Sequence, residues 1–207
     1  TNALFKSLNS LLEDTHKYKL FYRPSLHVYP IVDRYVDGQL RSIYSGVPFS
    51  LQTILTMDAE IDMQRMKEMT KFKRTNLSAE DLESELADLE DRLPYNCEHV
   101  VPQSWYNKKE PMRGDLHHLF TCESKCNSFR SNYPYYDFDD YGTNILNIIR
   151  DECGKHEGNK FEPEINKGVV ARAVLYYLIR YPGTMRTGVG YTFSDIPMLL
   201  KWHKDHE

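Results

Sequence analysis

Glu98 and His99 stand side by side in the stretch Asn96-Cys-Glu-His-Val-Val-Pro-Gln-Ser-Trp105. Asp115-Leu-His-His118 follows, and then Cys126-Asn127-Ser-Phe-Arg130. A carboxylate, an imidazole, an amide and a guanidinium in this order suit the hydrolysis of a phosphodiester. Such a reaction needs a base of near-neutral pKa to deprotonate water. It also needs positive charge, from a divalent cation and an arginine, where the transition state accumulates negative charge. Magnesium prefers oxygen ligands and keeps most of its waters, so one or two protein ligands suffice. Glu98 and the Asn127 side-chain oxygen form a fitting pair, with His99 as the base.

These residues demand a particular scaffold. Neighbours in a regular strand point to opposite faces, so Glu98 and His99 can address one phosphate only near a strand end or bend. Pro102 makes an early stop reasonable. Asn127 and Arg130 are three apart and share a face if they lie on a helix. The expected site is therefore a strand end facing a helix. Each pair alone is a common solvated surface feature, and the weight lies in their joint order. Asp115-Leu-His-His118 reads first as a turn with one packed histidine and second as a source of metal ligands. The two histidines are too close for the HExxH arrangement of zinc proteases.

Around this centre the chain reads as mixed helix and strand. Leu4, Phe5, Leu8, Leu11 and Leu12 lie on one helical face, with Asp14 to Tyr18 ending that helix. Ile31 to Val36 and Leu40 to Ser45, joined at Asp37-Gly38, predict an antiparallel hairpin over about 29–45. Residues 58–93 contain neither Gly nor Pro and hold 11 acidic side chains against 6 basic ones. Within them Leu82, Leu86, Leu89 and Leu93 predict an amphipathic helix over 79–93, after a cap-like Ser78. Its acidic face is read as solvated rather than as a partner surface. Tyr133 to Tyr141 is an aromatic, acidic tract read as a packed loop before a base-stacking platform. Val170, Ala173, Val174, Tyr177 and Leu178 make the stripe of a core helix ended by Pro182-Gly183, and 195–204 predicts a last short helix.

The composition, 41% hydrophobic and 27% charged, suits one globular domain over 1–207. No apolar run approaches the roughly 20 residues that span a bilayer. The net charge of −4 is awkward for a phosphate-binding protein, but the acidity is concentrated in 58–93, outside the candidate site. Cys97, Cys122, Cys126 and Cys153 allow two disulfides, in three connectivities, or one four-cysteine structural zinc site. Cys97 is in either case a candidate brace for the break at Glu98-His99.

The three chemical stretches, together with Phe161-Glu-Pro-Glu-Ile-Asn-Lys-Gly-Val-Val-Ala-Arg-Ala173, resemble the endonuclease I family, nonspecific periplasmic or secreted nucleases related to HNH enzymes. The likeness is close over 94–182 and looser over 1–45, where Tyr44-Ser-Gly falls, and 58–93 looks partly like an insertion. The resemblance implies an α+β fold with a ββα-metal (His-Me finger) core and additional helices around a small antiparallel sheet. It implies His99 as general base, Glu98 and Asn127 as metal ligands, and Arg130 as a phosphate contact. Arg113 is a second phosphate candidate, and Asp115 and His117 are structural supports. Glu162 and Lys167 to Arg172 would fix the C-terminal helix.

The implied cofactor is Mg2+, with Mn2+ or Ca2+ as substitutes and Zn2+ on the cysteines as the alternative. The implied partner is DNA, with RNA as a further expectation, for a monomer without a membrane segment. Products would carry 5′-phosphates. The Cys122-x-x-x-Cys126-Asn127 spacing also resembles HNH proteins with structural zinc, which would place the chain inside the cell. The other readings are a structure- or sequence-selective HNH nuclease and an inactive nucleic-acid-binding relative.

Overall fold

The computed structural model describes residues 2–73, 78, 82, 93–141, 152–192 and 194–206. In chain order the larger elements are α1 (Asn2–Thr15), α2 (Pro24–His27), β1 (Gln39–Arg41), β2 (Pro48–Ser50), α3 (Leu51–Phe72), β3 (Tyr95–His99), β4 (Leu119–Glu123), α4 (Ser124–Arg130), β5 (Gly154–Glu157), β6 (Lys160–Pro163), α5 (Lys167–Arg180) and α6 (Ile196–Asp205). Among the described residues the strands form three two-stranded antiparallel sheets, in line with the expected α+β class.

The β3–β4 ribbon is the centre of the molecule. Its register pairs Asn96 with Cys122, Cys97 with Thr121, Glu98 with Phe120 and His99 with Leu119. Because successive side chains alternate, the ribbon divides two apolar clusters. Cys122 belongs to the larger, with Tyr44, Tyr135, Phe161, Val174, Tyr177 and Trp202. Tyr95, Cys97 and Leu119 belong to the smaller, with Val28, Tyr29, Leu40 and Ile54. The outer edge of β4 is covered as well: the Thr121 amide donates to the Asp33 carboxylate at 2.6 Å, and the Thr121 carbonyl accepts from Ile43. Burial pushes the Asp33 carboxyl up to about 6.

Helix α4 starts directly after β4, and its Ser124 side chain and amide bond back to the carbonyls of Leu93 and Pro94. A disulfide, Cys126–Cys153 with Cα atoms 5.2 Å apart, ties α4 to the start of β5. The expected stripe on α5 is buried at Val170, Ala173, Val174 and Tyr177 and partly buried at Leu178, and Gly168 and Ala171 extend it. Each fully buried large apolar side chain contributes about 1.5–3 kcal/mol. The last short helix is present as α6. It lies so close to the start of α5 that a Cβ on Gly168 would sit 1.7 Å from the His206 carbonyl oxygen. The tract at 133–141 is packed: Tyr135 is buried, Asp137 accepts from Trp202 Nε1, and Lys155 Nζ lies over the Phe138 ring.

Several expectations are corrected. The hairpin over 29–45 is absent. Val28–Val32 continues α2 as a wide π-helical turn, burying Val28 and Tyr29 while Ile31 and Val32 stay exposed. Asp37-Gly38 does turn the chain, with Asp37 Oδ1 accepting from the Gln39 amide. The strand that follows pairs with Pro48–Ser50 instead. The run at 31–36, Ile-Val-Asp-Arg-Tyr-Val, lacks the strict apolar–polar alternation of a half-buried strand, and its Asp33 is engaged by the Thr121 amide. Helix α1 exists, but none of its residues is buried. Helix α3, capped by Ser50, runs unbroken through residue 58, where the composition changes. The helix expected over 79–93 falls outside the described residues, apart from Leu82 and Leu93.

The cysteines form neither two disulfides nor a four-cysteine zinc site. Cys126 and Cys153 are bonded, and Cys97 and Cys122 are buried thiols. The latter two lie on neighbouring strands but on opposite faces of the ribbon, because their cross-strand partners are Thr121 and Asn96. The brace near the site is therefore the Cys126 disulfide and not Cys97.

Two outcomes follow from this packing. Alkylation of the denatured, unreduced chain modifies two thiols, Cys97 and Cys122, as read by intact mass; modification of none or of four would contradict the pairing. Gly114 is enclosed, and a Cβ there would stand 2.1 Å from the Leu20 carbonyl oxygen. Gly114→Ala should destabilise the fold by about 1–3 kcal/mol in chemical denaturation, because backbone must shift to make room.

Candidate active site

Strand β3 stops at His99, and Val100 to Pro102 turn away before a 3-10 turn at Gln103–Tyr106. The expected strand end is therefore present. Glu98 and His99 are both buried, at 2% and 4% exposure, and they meet different partners. The Tyr44 hydroxyl donates to Glu98 Oε1 at 2.6 Å, and Arg130 Nη1 is 3.3 Å from the same oxygen. Burial pushes the Glu98 carboxyl up, and Arg130 and Tyr44 oppose that shift.

His99 Nε2 lies 3.0 Å from the Arg113 carbonyl oxygen. A carbonyl only accepts, so Nε2 carries the proton and Nδ1 holds the lone pair. Burial, then the neighbouring His118, holds the His99 imidazole well below its ordinary range, so it is neutral at neutral pH. The Tyr22 ring covers it at 4.8 Å between centroids, and His118 meets it edge-on at 5.6 Å.

On α4, Asn127 and Arg130 both turn toward β3. Asn127 Nδ2 donates to Asn96 Oδ1 at 2.7 Å, leaving the Asn127 carbonyl oxygen as its acceptor group. Arg130 Nη2 donates to the Val100 carbonyl at 2.6 Å and Nη1 to that of His99 at 3.4 Å, while the guanidinium stacks on Tyr135. Arg130 is as enclosed as Glu98 and His99, with 1% of it exposed. Arg113 is half-buried instead; its Nε donates to Gln103 Oε1 at 2.8 Å and its guanidinium lies over Tyr22.

Asp115 and His117 link this region to α5. Asp115 Oδ1 lies 2.8 Å from His117 Nδ1, and Oδ2 accepts from the hydroxyls of Tyr176 and Tyr181. His118 is the packed histidine of the pair, its Nε2 2.7 Å from the Met112 carbonyl oxygen. The exposed His117 stacks on Tyr176. Glu162 accepts from Lys167 at the first turn of α5.

Among the described residues no three His, Cys, Asp or Glu side chains gather as a metal cage. The donors at the strand–helix junction are one carboxylate and one amide oxygen. That set suits a hard cation that keeps most of its waters. Sequence reasoning missed Tyr44 and Tyr22, which reach the centre from distant segments. Tyr44-Ser-Gly was a faint signal for the first, and nothing marked the second.

The family model for endonuclease I matches residues 6–206, essentially the whole chain, and the chain belongs to that family. It is a nuclease, a phosphodiester hydrolase, and nucleic acid is its substrate class. No individually curated protein matches the chain. No helix among the described residues is long and apolar enough to cross a membrane.

Burial raises the Asp115 carboxyl, but hydrogen bonds from His117, Tyr181 and Tyr176 outweigh it and hold the group well below the usual carboxylate range. The same contact, against burial, raises His117 above 6.5. The Asp115 contribution to stability is present above its unfolded value of about 4 and is lost as pH falls through the depressed value. The His117 contribution is complete below about 6.5 and is lost as pH rises through the raised value. Asp115→Asn should therefore cost about 2 kcal/mol near neutrality, where the carboxylate is ionised. In thermal melts the loss relative to wild type should shrink both as pH falls through the depressed Asp115 value and as pH rises through the raised His117 value, and a pH-independent difference would contradict the pairing.

Proposed function

We propose that this chain is a metal-dependent, sequence-nonspecific endonuclease acting on DNA and also on RNA, built on a ββα-metal core made of β3, β4 and α4. The observation that carries the reading is the fixed tautomer of His99. With Nε2–H bound to the Arg113 carbonyl, Nδ1 of the neutral imidazole carries the lone pair that would take a proton from water. The base is held by backbone and needs no carboxylate partner.

Glu98 and the Asn127 side-chain oxygen would hold a divalent cation, Mg2+ in the first instance with Mn2+ or Ca2+ as substitutes. When bound, the cation supplies positive charge to the scissile phosphate and its leaving 3′-oxygen, so that 5′-phosphates result. Asn96 orients the Asn127 amide for this task. Arg130, beside Glu98, and Arg113, whose half-exposed guanidinium lies over Tyr22, are the two phosphate contacts of this reading.

Lys108 and Lys109, both exposed, precede Arg113, and Arg186 bonds to the Ser104 carbonyl. These cations lie on the loop between β3 and β4, or bond to it, and offer phosphate-directed attraction there, despite the overall charge of −4. Contacts of this kind fix position without reading bases, which fits low sequence specificity. The Cys126–Cys153 disulfide fits an oxidising compartment, so a secreted or periplasmic enzyme is the reading we favour. We take it to act as a monomer.

His99→Ala is the direct test, with plasmid nicking in Mg2+ as the readout. Loss of general-base catalysis should slow cleavage on the order of 10²–10⁴-fold, and EDTA should abolish it in the wild type. Undiminished cleavage by the variant would remove His99 from the mechanism.

A further inference from the structure

The side of Glu98 that faces the protein interior is unusually well furnished. Oε1 takes both side-chain partners, the Tyr44 hydroxyl at 2.6 Å and Arg130 Nη1 at 3.3 Å. The Tyr44 oxygen is also 2.7 Å from the Tyr135 hydroxyl. Tyr44 has one hydroxyl proton, and a carboxylate can only accept, so that proton points at Glu98. Tyr135 must then be the donor to Tyr44. The result is a one-way chain, Tyr135 to Tyr44 to Glu98, with all three side chains buried.

The chain is fixed at both ends. The Tyr135 backbone amide donates to the Tyr191 hydroxyl at 3.0 Å, and the Tyr135 ring packs against Phe161, Trp202 and the Arg130 guanidinium. Tyr44 meets Phe161 edge-on. Neither ring has room to swing without disturbing the larger core.

We propose that Tyr44 is a positioning residue for Glu98, and that the Tyr135 hydroxyl acts through it. Together with Arg130 they pin Oε1, while the His99 amide also bonds to the carboxylate, so that Oε2 is the oxygen left for a divalent cation. This rests on the assignment of Glu98 as a metal ligand made above. Such outer partners restrict a ligand to the rotamer that binds and keep its remaining lone pairs satisfied. Their removal typically costs 10–100-fold in metal affinity.

The experiment measures Mn2+ affinity of the folded protein, without nucleic acid, by electron paramagnetic resonance of the free ion. The variants are Glu98→Gln, Tyr44→Phe, Tyr135→Phe and the Tyr44→Phe/Tyr135→Phe double, each checked for an intact melting transition. Tyr44→Phe should weaken binding on the order of 10-fold or more, and Tyr135→Phe by less. The double variant should match Tyr44→Phe alone, because the outer hydroxyl acts only through the inner one.

Wild-type affinity in Tyr44→Phe, or additive losses in the double, would overturn the proposal while leaving Glu98 as a ligand. Wild-type affinity in Glu98→Gln would overturn the metal assignment itself. Should Tyr44→Phe not fold, Tyr135→Phe decides alone: unchanged affinity would reject the chain.

Discussion

The buried contact between Arg130 and the end of β3 is the constraint on which the rest of the site depends. One guanidinium pairs with Glu98, donates to the carbonyls of His99 and Val100, and stacks on Tyr135. A buried ion pair is weak evidence for stability, since desolvation offsets much of the attraction. Removing one partner, however, leaves an uncompensated charge and costs about 3–5 kcal/mol. Arg130 therefore acts less as a source of stability than as a specification. It sets where the strand stops and where the helix lies against it.

Most of the local architecture follows from that placement. With the ladder ending at His99, the two consecutive side chains are held by different partners: Glu98 by Tyr44, His99 by Tyr22 and His118. The loop between β3 and β4 returns so that the Arg113 carbonyl meets His99 Nε2. Glu110 supports that loop by accepting from the amides of Tyr22 and Gly114 through its two oxygens. Asp115 then ties the loop to α5 through Tyr176 and Tyr181. The disulfide at Cys126 holds α4 from its other side. Backbone, aromatic and covalent restraints thus converge on a few groups that must keep their geometry.

Much of this was legible in the sequence where local rules govern. The stripe on α5 and the short α6 follow from helical period, and the strand end near Pro102 from the need to bend. The α4 spacing of Asn127 and Arg130 correctly put both on one face. Where tertiary contacts decide, the sequence was silent or misleading. Ile31 to Val36 is apolar enough for a strand, but burial of Val28 and Tyr29 wins and winds the chain. Cysteine pairing depends on which face of the ribbon each thiol occupies, which spacing does not encode. The pairing of Arg130 with Glu98 and Tyr135, and the contacts of Tyr44 with Glu98 and of Tyr22 with His99, become visible only once the chain is folded.

The central claim is that one strand end and one short helix together form a metal-assisted phosphodiester centre. The most direct measurement is an anomalous difference map from crystals of His99→Ala soaked in Mn2+ with a short DNA duplex. The account predicts a peak within coordination distance of the Glu98 carboxylate and the Asn127 side-chain oxygen, with a backbone phosphate against it. A metal peak elsewhere, with those two side chains unligated, would contradict it.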